Sequence, residues 1–252
     1  MSLLIISDLH IWSPADPLYA SLLALLRERA APGDTVVLAG DIFDSFVGNK
    51  KVYVQKYSQF LEELQRAGDR GVHLRYIEGN HDFLLQGAFR SISGMKVYTQ
   101  EFDLELGGKR FFFSHGDTVD RKDYGYLLLR ALFRSLVMKL WVMLMPGKWL
   151  EKIGESWSQS SRTHKPLLPS DLPLDRRERL RKVYRSYAAE RMLEGYDFVV
   201  MGHCHDNDEM FFKIGSRQGQ YMNVGYPRVH GSFLCWSLGE EKIQREKLPE
   251  LN

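Results

Sequence analysis

Cysteine is scarce. The 252 residues include two, Cys204 and Cys235, with neither metal-type nor redox spacing between them. That excludes a disulfide framework and suits a reducing compartment. Charge of one sign is also lacking, and a net charge of +2 gives no argument for nucleic acid. No apolar run reaches about 18 residues, so no membrane span is expected. No basic stretch precedes the short apolar run Leu3–Ile6, so no signal peptide is expected either. Internal repeats and low-complexity tracts are absent. A cytoplasmic protein is the default expectation.

What is present is an ordinary globular composition, 44% hydrophobic and 26% charged. The length suits one large domain, read here as 1–252, with room for an insertion. One stretch organises the chain. Val36-Val37-Leu38-Ala39 ends in Gly40-Asp41-Ile42-Phe43-Asp44. It reads as a buried strand that delivers a carboxylate at its C-terminal tip. Four more apolar runs end in metal-type ligands: Asp8-Leu9-His10, Gly79-Asn80-His81-Asp82, His115-Gly116-Asp117 and Gly202-His203-Cys204-His205.

Between these tips the elements alternate. Leu18, Leu22, Leu25 and Leu26 give helical spacing up to Ala31, and Pro32-Gly33 turns the chain into the Thr35–Ala39 strand. Strand, helix, strand indicates a right-handed βαβ unit, whose ligands gather at the carboxyl ends of the strands. A second amphipathic helix precedes the Val72–Ile77 strand. Phe83–Phe89 reads as helical, and Gly107-Gly108 as a hairpin turn. Later strands, near Met210–Ile214, Gln220–Val224, Ser232–Leu238 and Lys242–Lys247, read as antiparallel from their short connections.

The character changes after residue 123. Tyr124–Ile153 is rich in Leu, Met and Trp, interrupted by Arg130, Arg134 and Lys139. It reads either as buried core helix or as two helices standing over the strand tips with an exposed apolar face that suits a lipid-like substrate. Ser156–Ser170 reads as a polar loop. Leu174–Leu193 is a highly charged helix, a solvated face or a contact for anionic headgroups. Residues 123–194 together are expected to form a helical cap insertion.

Asp, His and Asn donors suit Mn²⁺, Fe or Zn²⁺ and fit a structural zinc poorly. Carboxylate and imidazole clusters on strand tips can hold two ions about 3.5–4 Å apart, as two-metal phosphoesterases do. Any one of these histidines is unremarkable alone; five complementary motifs are not.

The five motifs, in order and spacing across residues 3–206, resemble the signature of the calcineurin-like metallophosphoesterases. The resemblance implies an α/β, four-layer αββα sandwich. It implies that Asp8, His10, Asp41 and His205 bind one divalent ion and that Asp41, Asn80, His115 and His203 bind a second, with Mn²⁺ expected at both. His81 would act as catalytic electrophile or acid, oriented by Asp82. Cys204 stands where this family usually has Thr or Ser, a position that is not a ligand. A narrower resemblance is to the UDP-2,3-diacylglucosamine pyrophosphohydrolases of lipid A synthesis. It rests on His115-Gly116-Asp117-Thr118, Asp123-x-x-Tyr126 and Phe83-Leu84-Leu85 after Asp82. It implies a lipid-linked nucleotide substrate and peripheral contact with the cytoplasmic face of the inner membrane. It also implies substrate contacts from Asn80, His81, Asp123, Tyr126, Ser158 and Lys165, with Arg162 and His164 as phosphate partners. The best-known branch of those enzymes has Arg where this chain has His81. Generic phosphoesterases and a second branch of lipid A hydrolases keep the His. Two other readings stand beside this one: a phosphoesterase acting on a phosphoprotein, nucleotide or cyclic nucleotide, and a non-catalytic scaffold. A nuclease is disfavoured, because no basic stripe lies beside the ligand motifs. The oligomeric state is left open.

Overall fold

A computed structural model describes residues 1–164 and 171–249. The chain begins β1 (Ser2–Ile6), α1 (Pro17–Ala24, continuing as a π-helical turn over Leu25–Arg29), β2 (Thr35–Leu38), β3 (Phe46–Val47), α2 (Lys51–Lys56) and α3 (Ser58–Asp69). Then come β4 (His73–Ile77), β5 (Asp82–Phe83), α4 (Gln86–Phe89), β6 (Met95–Tyr98), β7 (Glu101–Leu106) and β8 (Lys109–Ser114). Four helices follow: α5 (Tyr124–Phe133), α6 (Leu136–Leu144), α7 (Gly147–His164) and α8 (Leu174–Leu193). The chain closes with β9 (Phe198–Met201), β10 (Glu209–Ile214), β11 (Arg217–Asn223), α9 (Pro227–His230), β12 (Ser232–Ser237) and β13 (Gln244–Lys247).

The strands build a six-stranded sheet in the order β13-β12-β1-β2-β4-β6 and a five-stranded sheet in the order β10-β11-β9-β8-β7. β1, β2, β4 and β6 run parallel, as do β8, β9 and β11. The antiparallel partners lie at the edges, so β11 pairs antiparallel with β10 but parallel with β9.

Side-chain alternation explains the layering. In β1, Leu3 and Ile5 enter a core shared with Phe111, Phe113, Val200 and Trp236, between the two sheets. Leu4 and Ile6 face the other way, into a core with Leu22, Phe60 and Leu64 of α1 and α3. On the second sheet, Phe112, Val199 and Tyr221 pack against Tyr184, Ala188 and Met192 of α8. The result is the four-layer αββα sandwich. Strands buried on both faces read as near-continuous apolar runs, as β1, β2 and β9 do.

Three sequence readings change. Phe83–Phe89 is helical only from Gln86, because Asp82–Phe83 pairs with Phe46–Val47 and Leu84 sits at φ 59°. The stretch from Ser156 to His164, read as loop, belongs to α7. α8, grouped with the cap, is an outer layer of the sandwich; its charged residues cover a face whose Tyr184, Ala188 and Met192 are buried.

Helices α5 and α6 differ from the rest in what they leave outside. Leu128 is 74% exposed, Leu136 76% and Leu144 81%. Leu132, Val137, Leu140, Met143 and Trp149 are exposed with them. Val142 and Leu150 anchor this region to the first core. Asp123 and Ser135 start the two helices by accepting the amide hydrogens of Tyr126 and Met138. The buried-core reading of Tyr124–Ile153 therefore gives way to the exposed one.

Candidate metal centre

Each ligand-type residue leaves a strand tip on a backbone that bends sharply. Six non-glycine residues among those described have positive φ, and five are Asp8 (55°), His10 (48°), Asp41 (53°), His203 (68°) and His205 (55°). Non-glycine residues avoid this region, and where it is held the surrounding structure over-determines it, most often at functional sites. Here the β1 and β2 tips brace each other: Asp8 N donates to Gly40 O and His10 N to Asp41 O, both at 3.0 Å. Gly40 has φ 89°, and a Cβ there would overlap the His115 ring.

The donors converge in two groups. Asp8, His10 and His205 form one, and Asp41, His115 and His203 the other, each with its ligand atoms within 4.8 Å of one another. His10 Nε2 lies 3.1 Å from His205 Nε2, and His205 Nε2 lies 3.5 Å from Asp8 Oδ1. Asp41 Oδ2 faces both groups, 3.9 Å from His10 Nε2 and 3.5 Å from His115 Nε2. Asp41 Oδ1 accepts the His81 amide at 2.9 Å. Asn80 Oδ1 sits 3.3 Å from His115 Nε2. The set is carboxylate, imidazole and amide oxygen, with Asp8, Asp41 and His115 buried. It fits divalent ions, which these residues would hold with Asp41 facing both donor groups.

The protonation pattern agrees. His115 Nδ1 faces Ala39 O at 2.9 Å, and a carbonyl only accepts, so Nδ1 carries the hydrogen and Nε2 is the free lone pair. Burial opposes charge on His115, yet Asp41 beside it pushes its pKa up to about 10. Asp41 is held well below the usual carboxylate range: burial would raise it, but His115, His81 and His10 outweigh that. His203 is driven down to about 4 by burial and by the neighbouring His115. The carboxylates around His115 favour a positive charge there, which a proton supplies on the ring and which a cation held by the same residues would supply instead.

His81 and Asp82 do separate jobs. His81 Nδ1 lies 3.0 Å from Asp44 O, so Nδ1 donates and Nε2 keeps the lone pair. Its ring stands edge-on to His10 at 4.8 Å. Asp82 does not reach that ring. Its carboxylate accepts the amides of Asp41 at 3.0 Å, Ile42 at 2.7 Å and Gly79 at 2.9 Å, and the Tyr76 hydroxyl at 2.5 Å. The expectation that Asp82 orients His81 is corrected: Asp82 ties the Asp41 loop to the Asn80 loop, and the residue at the His81 ring is Asp44.

Asp44 was not among the sequence candidates, although it lies three residues after Asp41. Its Oδ1 is 3.5 Å from His10 Nδ1, an arrangement that orients a metal-binding imidazole. His10, Asp44 and His81 also converge as a third group of donors. The Nδ1 geometry makes Asp44 the support of His10. Tyr226, also missed, stacks on His205 at 4.4 Å and 8°.

The proposed substrate contacts scatter. Tyr126 lies at the rim, its ring 5.8 Å from His203 and its hydroxyl donating to Asp117 at 2.8 Å. Asp123 is exposed and caps α5. Ser158, Arg162 and His164 lie on α7. Lys165 lies outside the described residues.

Residues 1–207 match the calcineurin-like phosphoesterase family, and the chain belongs to it. It is a metal-dependent hydrolase with a site for divalent ions. Among its relatives is a UDP-2,3-diacylglucosamine hydrolase of Neisseria meningitidis, 29% identical over 87% of this chain and 91% of that protein. Another of the same name, from Aeromonas salmonicida, is 28% identical over 100% of this chain and 96% of its own. A solved archaeal phosphodiesterase aligns with 98% of this chain and 99% of its own at 14% identity, TM-score 0.48. That likeness is too loose to bear on the site.

Proposed function

We propose that this protein hydrolyses the pyrophosphate of UDP-2,3-diacylglucosamine, giving UMP and 2,3-diacylglucosamine 1-phosphate, with two Mn²⁺ ions. The observation that carries it is the exposed apolar face of α5 and α6 beside a phosphoesterase rim. Relatives of this name over most of the chain add support. α5–α7 act as the cap that takes the acyl chains, and the same face rests on the inner membrane surface.

Asp8, His10, Asp41 and His205 hold one ion, and Asp41, Asn80, His115 and His203 the other. When bound, the ions supply Lewis acidity at the phosphoryl oxygens and a nucleophile at neutral pH. Asp44 and Ala39 fix the tautomers of His81 and His115 through their carbonyls. His81, with Nδ1 anchored, turns Nε2 to the phosphoryl group or leaving oxygen and donates from it when the ring holds both protons. Tyr126 and the α7 residues Ser158, Arg162 and His164, with Lys165 beyond, contact the substrate, and Asp123 holds the start of α5.

The second reading is a phosphoesterase for another phosphoester, favoured by His81, which generic members of the family share. Phosphorus NMR of products from Mn²⁺-loaded protein and UDP-2,3-diacylglucosamine in mild detergent decides between them. UMP and the acylated sugar phosphate, absent with Asp41→Ala, are expected. An aryl phosphodiester hydrolysed without turnover of the lipid would discard the lipid substrate and keep the phosphoesterase.

A further inference from the structure

α5 meets the rest of the molecule through a polar stripe. Tyr126, Arg130 and Arg134 recur every four residues on one side, while Leu128 and Leu132 face outward. Arg130 Nε donates to Asp117 Oδ2 at 2.5 Å and its Nη2 to Thr99 O at 3.1 Å. Arg134 ends the helix and forks onto one loop. Its Nη1 donates to Glu78 Oε2 at 2.8 Å, and its Nη2 to Glu78 O at 3.3 Å and Gly79 O at 3.2 Å. Glu78 is buried, and its other oxygen accepts the Leu85 amide at 2.7 Å. Arg134 therefore holds the two peptide units that lead into Asn80, the residue before His81.

We propose that Arg134 is a positioning residue, setting from α5 the backbone from which Asn80 and His81 project. This goes beyond the substrate reading above, because it applies to any phosphoryl substrate. A guanidinium can bridge a carboxylate and two carbonyls in one plane; an ammonium cannot. A displacement of about 1 Å at the site costs on the order of a hundredfold in rate.

Arg134→Lys tests this. The ammonium keeps a cation on Glu78, so no buried carboxylate is orphaned. On the probe bis(p-nitrophenyl) phosphate, with Mn²⁺, kcat is expected to fall roughly ten- to a hundredfold while KM holds. Hydrogen exchange on the metal-free protein is expected to quicken about fivefold or more at residues 79–82, with β1 and β2 unchanged. The double variant Glu78→Gln with Arg134→Met should behave alike and guards against misfolding of the single change. Unchanged kcat with unchanged local exchange overturns the proposal, as does exchange that rises throughout the molecule. If the wild-type protein does not cleave the probe, the phosphoesterase reading is in question, and the exchange comparison still decides the role of Arg134.

Discussion

Asp44 uses its two ends on two different histidines. Its carboxylate stands at His10 Nδ1, 3.5 Å away, and its carbonyl takes His81 Nδ1 at 3.0 Å. Asp44→Ala removes the first contact and keeps the second. Metal affinity is therefore expected to fall by about 10- to 100-fold, with a smaller loss of kcat once ions saturate. Mn²⁺ titration against a competing chelator measures it, and unchanged affinity would show that His10 needs no such support. Asp82 makes a different prediction. Asp82→Ala leaves the buried amides of Asp41, Ile42 and Gly79 and the Tyr76 hydroxyl without their acceptor. Each of the four orphans costs about 1–3 kcal/mol, so a loss of roughly 4 kcal/mol or more is expected in urea unfolding. A stable Asp82→Ala that turned over slowly would return Asp82 to a role at His81. The strand-tip ligands could be read from the sequence because buried parallel strands announce themselves as apolar runs and end where the chemistry begins. The division of labour between Asp44 and Asp82 could not, since both follow a ligand and only the fold shows which carboxylate turns inward.

At the level of elements, what could be read followed burial. α1, α3 and the strands bury apolar residues at regular spacing, and they form where that spacing placed them. α7 was read as loop beyond residue 155 because its sequence is polar there. It is held where it starts by contacts no periodicity reveals: Lys56 pairs with Glu151 at 3.1 Å, and Gly154 packs against Ser45 so closely that a Cβ would collide. The apolar run over α5 and α6 carried a visible signal, its three basic interruptions, whose meaning appears only when Arg130 and Arg134 reach two loops. Its outer face makes its own prediction. Leu128 and Leu132, and Val137 beside them on α6, are exposed, so changing all three to Ser should leave the unfolding free energy within about 0.5 kcal/mol per site of the parent. If acyl chains lie there, the loss of roughly 1.5–3 kcal/mol per buried side chain should raise KM for the diacylated substrate at least about tenfold. A soluble aryl diester gives the comparison. Equal effects on both substrates would remove the acyl face from the reading.

Across the whole molecule, two sheets bring five strand tips to one rim, and the cost of that convergence is concentrated there. Five ligand-type residues hold positive φ. Asp8 and Asp41 are buried beside each other, and His10 and His205 nitrogens face at 3.1 Å. Bound cations would relieve this, because they would supply positive charge that the carboxylates and imidazoles of both groups can coordinate. Binding to the folded state alone adds about 2.7 kcal/mol per site at a hundredfold excess over Kd. For a chain of this length each kcal/mol moves Tm by roughly 2–4 °C, so EDTA should lower Tm by roughly 10 °C or more. Restoring Mn²⁺ should reverse it. Asp41→Ala should lose most of the metal-dependent shift, since Asp41 Oδ2 faces both donor groups, whereas Arg134→Lys should keep it, since Arg134 touches neither group. Differential scanning calorimetry with and without EDTA reads all three proteins. A Tm indifferent to chelator and to added Mn²⁺ would mean that the rim is stable as a hydrogen-bonded cluster and that the ions do not bind where the geometry gathers their donors.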